Sequence, residues 1–344
     1  MSELQRALGL ELPIVQAPMA GVQDHALAAA VSNAGGLGSL PCAMLDASAM
    51  RREFAALRAS TERPFNLNFF CHAPPVADAR QEAAWRAALS PYYRELGLDI
   101  DAIPAGAGRL PFDAAAAEQV EACRPAVVSF HFGLPEEALL ARVRATGARV
   151  LASATTVDEA RWLEQHGVDA VIAQGLEAGG HRGHFLSDDL SRQAGTFALL
   201  PQIVRAVRVP VIAAGGITDA AGVAAALSLG AALVQVGTAY LLCPEASTSA
   251  IHREALASEA SQHTALTRLF TGRPARGIVN RLMREIGAAS PAPAFPLATV
   301  ALAPLRKAAE ARGSGDFSPL WSGQNASGCR AVAAAELTRG LAGA

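Results

Sequence analysis

The sequence predicts an α/β chain closed into a (β/α)8 barrel of the TIM barrel type, with a helical insertion after the eighth strand covering the C-terminal mouth. Three observations carry this reading. Eight apolar runs of strand length recur before residue 240, helix-length segments separate them, and residues 241–320 then continue in mostly helical patterns. Short, wholly apolar strands alternating with helices imply a parallel sheet covered on both faces, and eight is the number that closes a barrel. A doubly wound open sheet is the alternative, but no GxGxxG follows the first strand.

The runs, in chain order, are Pro13–Met19, Gly36–Leu40, Pro64–Phe70, Ala126–Phe132, Arg149–Ser153, Ala170–Ala173, Pro210–Ala214 and Ala232–Val236. Each is too short for a helix and apolar enough to be buried on both sides. The connecting segments carry helix signals. In Thr156–His166, Thr156 can cap, Asp158 and Glu159 suit the first turn, and Gly167 ends the helix. Val209–Leu242 is apolar enough to suggest a membrane span. Gly215, Gly216, Asp219, Gly230, Gln235 and Gly237 instead divide it into strand, turn, helix and strand. We therefore expect residues 1–240 to form the barrel, 241–320 a substrate-pocket insertion interrupted by Pro291, Pro293 and Pro296, and the tail 321–344 to return to the barrel.

Composition narrows the class of function. The chain is 51% hydrophobic with a formal charge of −2, which points to neither nucleic acid nor an anionic membrane as partner. The five cysteines form no CxxC pair, and the N-terminus lacks a basic start and an apolar core, so a cytoplasmic protein, monomer or homodimer, is expected. A small-molecule enzyme is the reading that remains. Lys307 is the only lysine in a chain otherwise supplied with arginine.

The chemistry is concentrated at strand ends. Ala213–Ile217 and Gln235–Ala239 follow the seventh and eighth strands, the two loops that commonly hold phosphate in this fold. Gly215, Gly216 and Gly237 let backbone N–H groups approach phosphate oxygens, and the Thr238 hydroxyl can donate. Amide and sulfur groups at other strand ends, namely Gln16, Met19, Asn66, Asn68 and Gln174, suit a flat hydrogen-bonding heterocycle, though each alone could be a satisfied core group. Residues 173–183 read AQGLEAGGHRG. His181 and His184, with His131, could face one way, but no carboxylate completes a metal set, and none is expected.

Ile14–Gly21, Asn66–Phe69, Ser129–Gly133, Gln174–Gly183, Ala214–Ile217, Gln235–Thr238 and Leu320–Gln324 together resemble the nitronate monooxygenases, formerly 2-nitropropane dioxygenases, of the class I bacterial type. The resemblance implies a non-covalent FMN and no metal. It implies flavin contacts at Met19, Asn68, Gln174, Gly179, Gly180, Gly215, Gly216, Gln235, Val236, Gly237, Thr238, Gly323 and Gln324, with Gly237 and Thr238 at the phosphate. His181 falls on the family's active-site histidine and His131 on a second histidine of the pocket. The implied reaction is one-electron oxidation of an alkyl nitronate by FMN, then reaction with O2 to give a carbonyl compound and nitrite.

An imidazole near neutral pH can either hold the nitronate anion or take the α-proton of a neutral nitroalkane, and both roles stay open for His181. Lys307 and Tyr240 are the candidate substrate contacts. The insertion contains no tyrosine where better-known class I enzymes place several, so the substrate half of the site departs from the family pattern. The alternative on the same scaffold is an FMN oxidoreductase fed by NAD(P)H, similar to flavin-dependent enoyl-ACP reductases or quinone reductases. A flavin carrier without turnover, or a flavin-free phosphate-sugar isomerase, are the readings from other classes.

Overall fold

The computed structural model describes residues 1–103, 109–287 and 291–343. Its strands in chain order are β1 (Ile14–Gln16), β2 (Gly38–Pro41), β3 (Phe65–Phe70), β4 (Val127–His131), β5 (Arg149–Ala154), β6 (Ala170–Gln174), β7 (Gly180–His181), β8 (Val211–Ala214), β9 (Leu233–Val236), β10 (Thr264–Thr267) and β11 (Ala275–Ile278). Eight of them form one parallel sheet in the order β1-β9-β8-β6-β5-β4-β3-β2. A bridge between Val15 and Leu37 brings the two edges together. There Leu37 N–H donates to Ile14 O and Gln16 N–H to Leu37 O, both at 2.9 Å. This is the expected (β/α)8 barrel, with every expected run present as a strand.

Alternation along each strand divides its side chains between two cores. On β3, Phe65, Leu67 and Phe69 pack outward against the helix layer, in the cluster that also holds Leu27, Leu57 and Val120. Asn66 and Asn68 take the other face, where their Nδ2 atoms donate to Ser129 Oγ at 2.9 Å each. Below that polar layer the barrel is plugged by Val15, Leu37, Val127, Leu151, Ile172 and Leu233. Parallel strands need both faces covered, and this sequence supplies an apolar set for each.

The helix expected after β5 runs Val157–Gln165, with Thr156 capping it by accepting from Glu159 N–H. Gly167, at φ 75°, stops it. At Gly38 the helix His25–Asn33 lies on the β2 backbone so closely that a Cβ would sit 1.9 Å from Ala28 O. Gly38→Ala is therefore expected to destabilise the barrel by about 3 kcal/mol or more, since the obstacle is backbone that cannot repack. Denaturant unfolding of the two proteins checks this, and an unchanged midpoint would contradict the packing described.

Residues 241–320 differ from the expected helical insertion. They hold helices Ala250–Ala257, Arg281–Ile286 and Ala298–Glu310, but also the antiparallel hairpin β10–β11, whose second strand pairs with β7 through Ala275–His181 and Arg276–Gly180. The hairpin was not legible because its strands have four residues each and β7 has two, too few for a period to show. A second core joins this region to helix Ala79–Leu96. Trp85, Leu89 and Tyr93 pack on Leu302 and Leu305, with Trp85 Nε1–H donating to Ala298 O at 3.2 Å and Tyr93 O–H to Ala301 O at 2.5 Å. The cap over the mouth thus draws on the β3 connection as well as on residues 241–320. Among the described residues no helix is long and apolar enough to cross a membrane.

Candidate active site

A cavity opens at the C-terminal ends of the barrel strands, its wall built from the ends of β1, β3, β4, β5, β6, β8 and β9 and the loops that follow them. On one side β8 and β9 end in the glycine loops. Gly215 (φ 121°) and Gly216 (φ 71°) hold backbone conformations that side chains rarely adopt. The Gly216 and Gly237 amides donate to no group among the described residues. Thr238 Oγ1 accepts from Gly323 N–H at 2.9 Å. That bond docks the returning tail on the barrel and leaves the hydroxyl proton for a ligand.

Thirteen of the expected site residues line this cavity: Met19, Asn68, His131, Gln174, Gly179, Gly180, His181, Gly215, Gly216, Gln235, Gly237, Thr238 and Gly323. Two buried acceptors on its wall, Gln235 Oε1 and Thr218 Oγ1, have no hydrogen-bond partner. A buried polar atom without a partner costs free energy, so these two mark where a polar ligand belongs.

The loop that carries His181 is held from several directions. Gln174, at the end of β6, accepts from Gly183 N–H through Oε1 at 2.8 Å and donates from Nε2 to His181 O at 3.0 Å. The amide expected to serve a flavin is thus largely engaged in clamping this loop. Arg182 is fully buried and donates to Gly175 O (2.7 Å), Gln174 O (2.9 Å) and Gln193 Oε1 (2.8 Å). Glu159, also buried, accepts from Phe185 N–H at 2.7 Å through one oxygen and from Thr155 N–H at 2.7 Å through the other. Strand pairing of β7 with β11 completes the clamp.

His181 Nε2 lies 2.9 Å from Thr271 Oγ1, a residue the sequence did not single out. Its ring sits against Phe295 (5.3 Å between centroids) and Trp321 (5.6 Å). Burial, and next the Arg109 guanidinium, hold its pKa well below the usual imidazole value. The ring is therefore neutral, and with Nε2 engaged, Nδ1 is the nitrogen left for chemistry. His131 is different. Its Nε2 donates to His181 O at 3.2 Å and its Nδ1 accepts from Ser153 Oγ at 3.0 Å. Burial pushes its pKa down to about 3. With both nitrogens hydrogen-bonded, His131 holds the His181 backbone.

Four expected residues do not reach the cavity. Val236 follows the inward Gln235 by one position and so turns to the outer core. Tyr240 lies in the short turn of helix after Gly237, fully buried, with its hydroxyl 2.9 Å from Thr338 Oγ1. Gln324 is exposed, and the next residue, Asn325, lines the cavity and donates to Gly216 O at 3.2 Å. Lys307 is exposed on helix Ala298–Glu310, whose Leu302 and Leu305 face the second core. Gln16 and Asn66 also stay inside the barrel: Gln16 Oε1 accepts from Ser39 N–H at 3.0 Å, and Asn66 Nδ2 donates to Ser39 Oγ at 3.0 Å.

Phe70, Arg109, Ser153, His252 and Trp321 line the cavity without having been expected there. Phe70 ends an expected strand and Trp321 stands in the Leu320–Gln324 motif, so both carried a signal. Arg109 lies in a segment with no local pattern and His252 in the helix Ala250–Ala257 of the insertion, and only the tertiary fold brings the two in.

Comparison with known proteins agrees with this architecture. The profile of the nitronate monooxygenase family matches residues 2–342. The chain is 46% identical to a nitronate monooxygenase of Paraburkholderia phytofirmans, covering 97% of this chain and 92% of that one. With the nitronate monooxygenase of Pseudomonas aeruginosa it shares 45% identity, over 98% and 97%. Among solved structures, a nitroalkane oxidase from Streptomyces ansochromogenes superposes with a TM-score of 0.89 at 40% identity, covering 98% and 97%. FabK from Thermotoga maritima gives 0.75 at 26%, over 99% and 94%. With a matching profile across nearly its whole length, this chain belongs to the nitronate monooxygenase family of oxidoreductases.

Proposed function

We propose that this protein is an FMN-dependent nitronate monooxygenase that oxidises alkyl nitronates with O2 to carbonyl compounds and nitrite. The observation that carries the reading is a neutral, clamped His181 on the wall of the same cavity as two glycine loops and the unpartnered Gln235 Oε1 and Thr218 Oγ1. That wall fits FMN. Gly216, Gly237 and Thr238 would hold the phosphate, and Met19, Asn68, Gly179, Gly180 and Gln235 the ring system. When bound, FMN supplies the electron acceptor for the nitronate and passes the electrons to O2. The protein's own part is to bind the substrate, exclude water and manage one proton. A neutral nitroalkane can give its α-proton to His181 Nδ1, while Thr271 fixes the ring through Nε2. A nitronate arrives already deprotonated and needs only to be held.

A second reading, kept open by the scaffold this chain shares with FabK, is the one in which NAD(P)H reduces the flavin. The two part on one experiment. An aerobic screen of short alkyl nitronates and propionate 3-nitronate, with NAD(P)H oxidation followed in parallel, is expected to give nitrite from the nitronates and no NAD(P)H turnover. Anaerobic bleaching of the flavin by NAD(P)H, with none by any nitronate, would replace the leading reading with the second.

A further inference from the structure

Arg109 is the one side chain carrying a formal charge on the cavity wall, among the described residues, once His131, His181 and His252 are counted neutral. It forms no ion pair there, and its Nε is buried without a hydrogen-bond partner. The contacts it does make are weak ones, an Nη2 approach to Met44 Sδ at 3.9 Å and a guanidinium 5.8 Å from the Phe295 ring centroid. Its backbone is held in place, since Arg109 O lies 3.1 Å from His72 Nε2 and Phe112 N–H donates to Phe70 O at 2.7 Å. Arg109 is half-buried, a guanidinium remains charged at any ordinary pH, and a desolvated donor left without a partner is costly.

Its place in the ring matters. Arg109 is anchored at the end of β3, and in the strand order β3 stands four places from β8, so it lies across the mouth from the Gly215–Gly216 loop. Phe295 touches both the Arg109 guanidinium and the His181 ring. Arg273, the other cation of this neighbourhood, does not line the cavity: its Nε also lacks a partner, but its guanidinium lies over the Phe132 ring at 4.0 Å and donates to His184 O.

We propose that Arg109 is the substrate-binding cation of this site, pairing with the oxygens of the nitronate anion beside His181, so that charge recognition and proton transfer are divided between two residues. The inference rests on the nitronate reading and deepens it. A planar fork of donors matches two oxygens on one atom, as in a nitronate or a nitrate ion.

Nitrate, a planar anion without turnover, is the probe. Titrated calorimetrically into the FMN-loaded enzyme, it is expected to bind and to compete with ethyl nitronate. In Arg109→Gln its affinity is expected to fall roughly 10- to 100-fold, the range for losing a hydrogen bond to a charged group. KM for ethyl nitronate should rise by a similar factor, and by clearly less for neutral nitroethane, with Arg109→Lys intermediate. Removing the charge should also raise the pH at which acid abolishes nitroethane turnover. His181 is faced by Arg109, His131, Arg273 and His72, of which Arg109 exerts the largest depressing charge. No nitrate binding to the wild type, unchanged affinity in Arg109→Gln, or equal losses on both substrates would overturn the proposal. Should Arg109→Gln not fold, an unchanged nitrate affinity in Arg109→Lys counts against it and an intermediate loss for it. If the wild type releases no nitrite from any nitronate, the functional reading fails while the nitrate titration still decides the role of Arg109 as an anion site.

Discussion

Gly237→Asp is expected to purify as a folded, colourless protein that no longer retains FMN. Position 237 has φ −117°, open to any residue, and an added Cβ would stand 3.3 Å from Ala17 Cβ and 3.7 Å from Met19 Sδ. A methyl group is therefore nearly accommodated, and Gly237→Ala should keep its flavin. An aspartate adds a negative charge where the unpaired Gly216 and Gly237 amides are proposed to meet the phosphate. Two like charges about 4 Å apart repel by about 4 kcal/mol at an effective dielectric near 20, roughly a thousandfold in affinity. Flavin absorbance per polypeptide and a fluorescence titration measure this. Stoichiometric FMN in Gly237→Asp would move the phosphate elsewhere.

His181→Asn carries the second large effect. Asparagine is close in size, so FMN content should be kept, whereas turnover of neutral nitroalkanes should drop by ~10²–10⁴-fold with the loss of a positioned base. Pre-formed nitronates should suffer less, because no proton has to be removed from them. The pH dependence has a defined sign. A depressed pKa means that the neutral, proton-accepting imidazole persists into acid, so the wild type should lose nitroalkane turnover well below pH 6.5. Equal losses on both substrates would assign His181 to anion holding, and wild-type rates on both would remove it from the mechanism.

The proposed division of labour also explains why the cation expected at Lys307 is not needed there. Helix Ala298–Glu310 uses Ala301, Leu302 and Leu305 to close the second core, which leaves Lys307 on its solvent side. The charge on the cavity wall comes from Arg109 instead, next to segments for which the sequence shows neither helical nor strand period. Similarly, the part His131 plays is set by its two nitrogens, which bond Ser153 Oγ and His181 O. Which nitrogen of a histidine is free is a matter of neighbours far away in the chain.

By itself the sequence determined the barrel and the position of its mouth. Eight wholly apolar runs can be buried only between two covering layers, and the glycines after the last two must stand where close backbone approach is required. It also singled out the AQGLEAGGHRG loop. Only the tertiary structure decided what the loop's histidine can do, because ionisation follows burial and the field of Arg109, and Nε2 is taken by Thr271. It likewise turned Val236, Tyr240, Gln324 and Lys307 away from the cavity. Strand alternation at the barrel wall and the packing of the second core set those directions, and both depend on contacts between segments that local sequence does not connect.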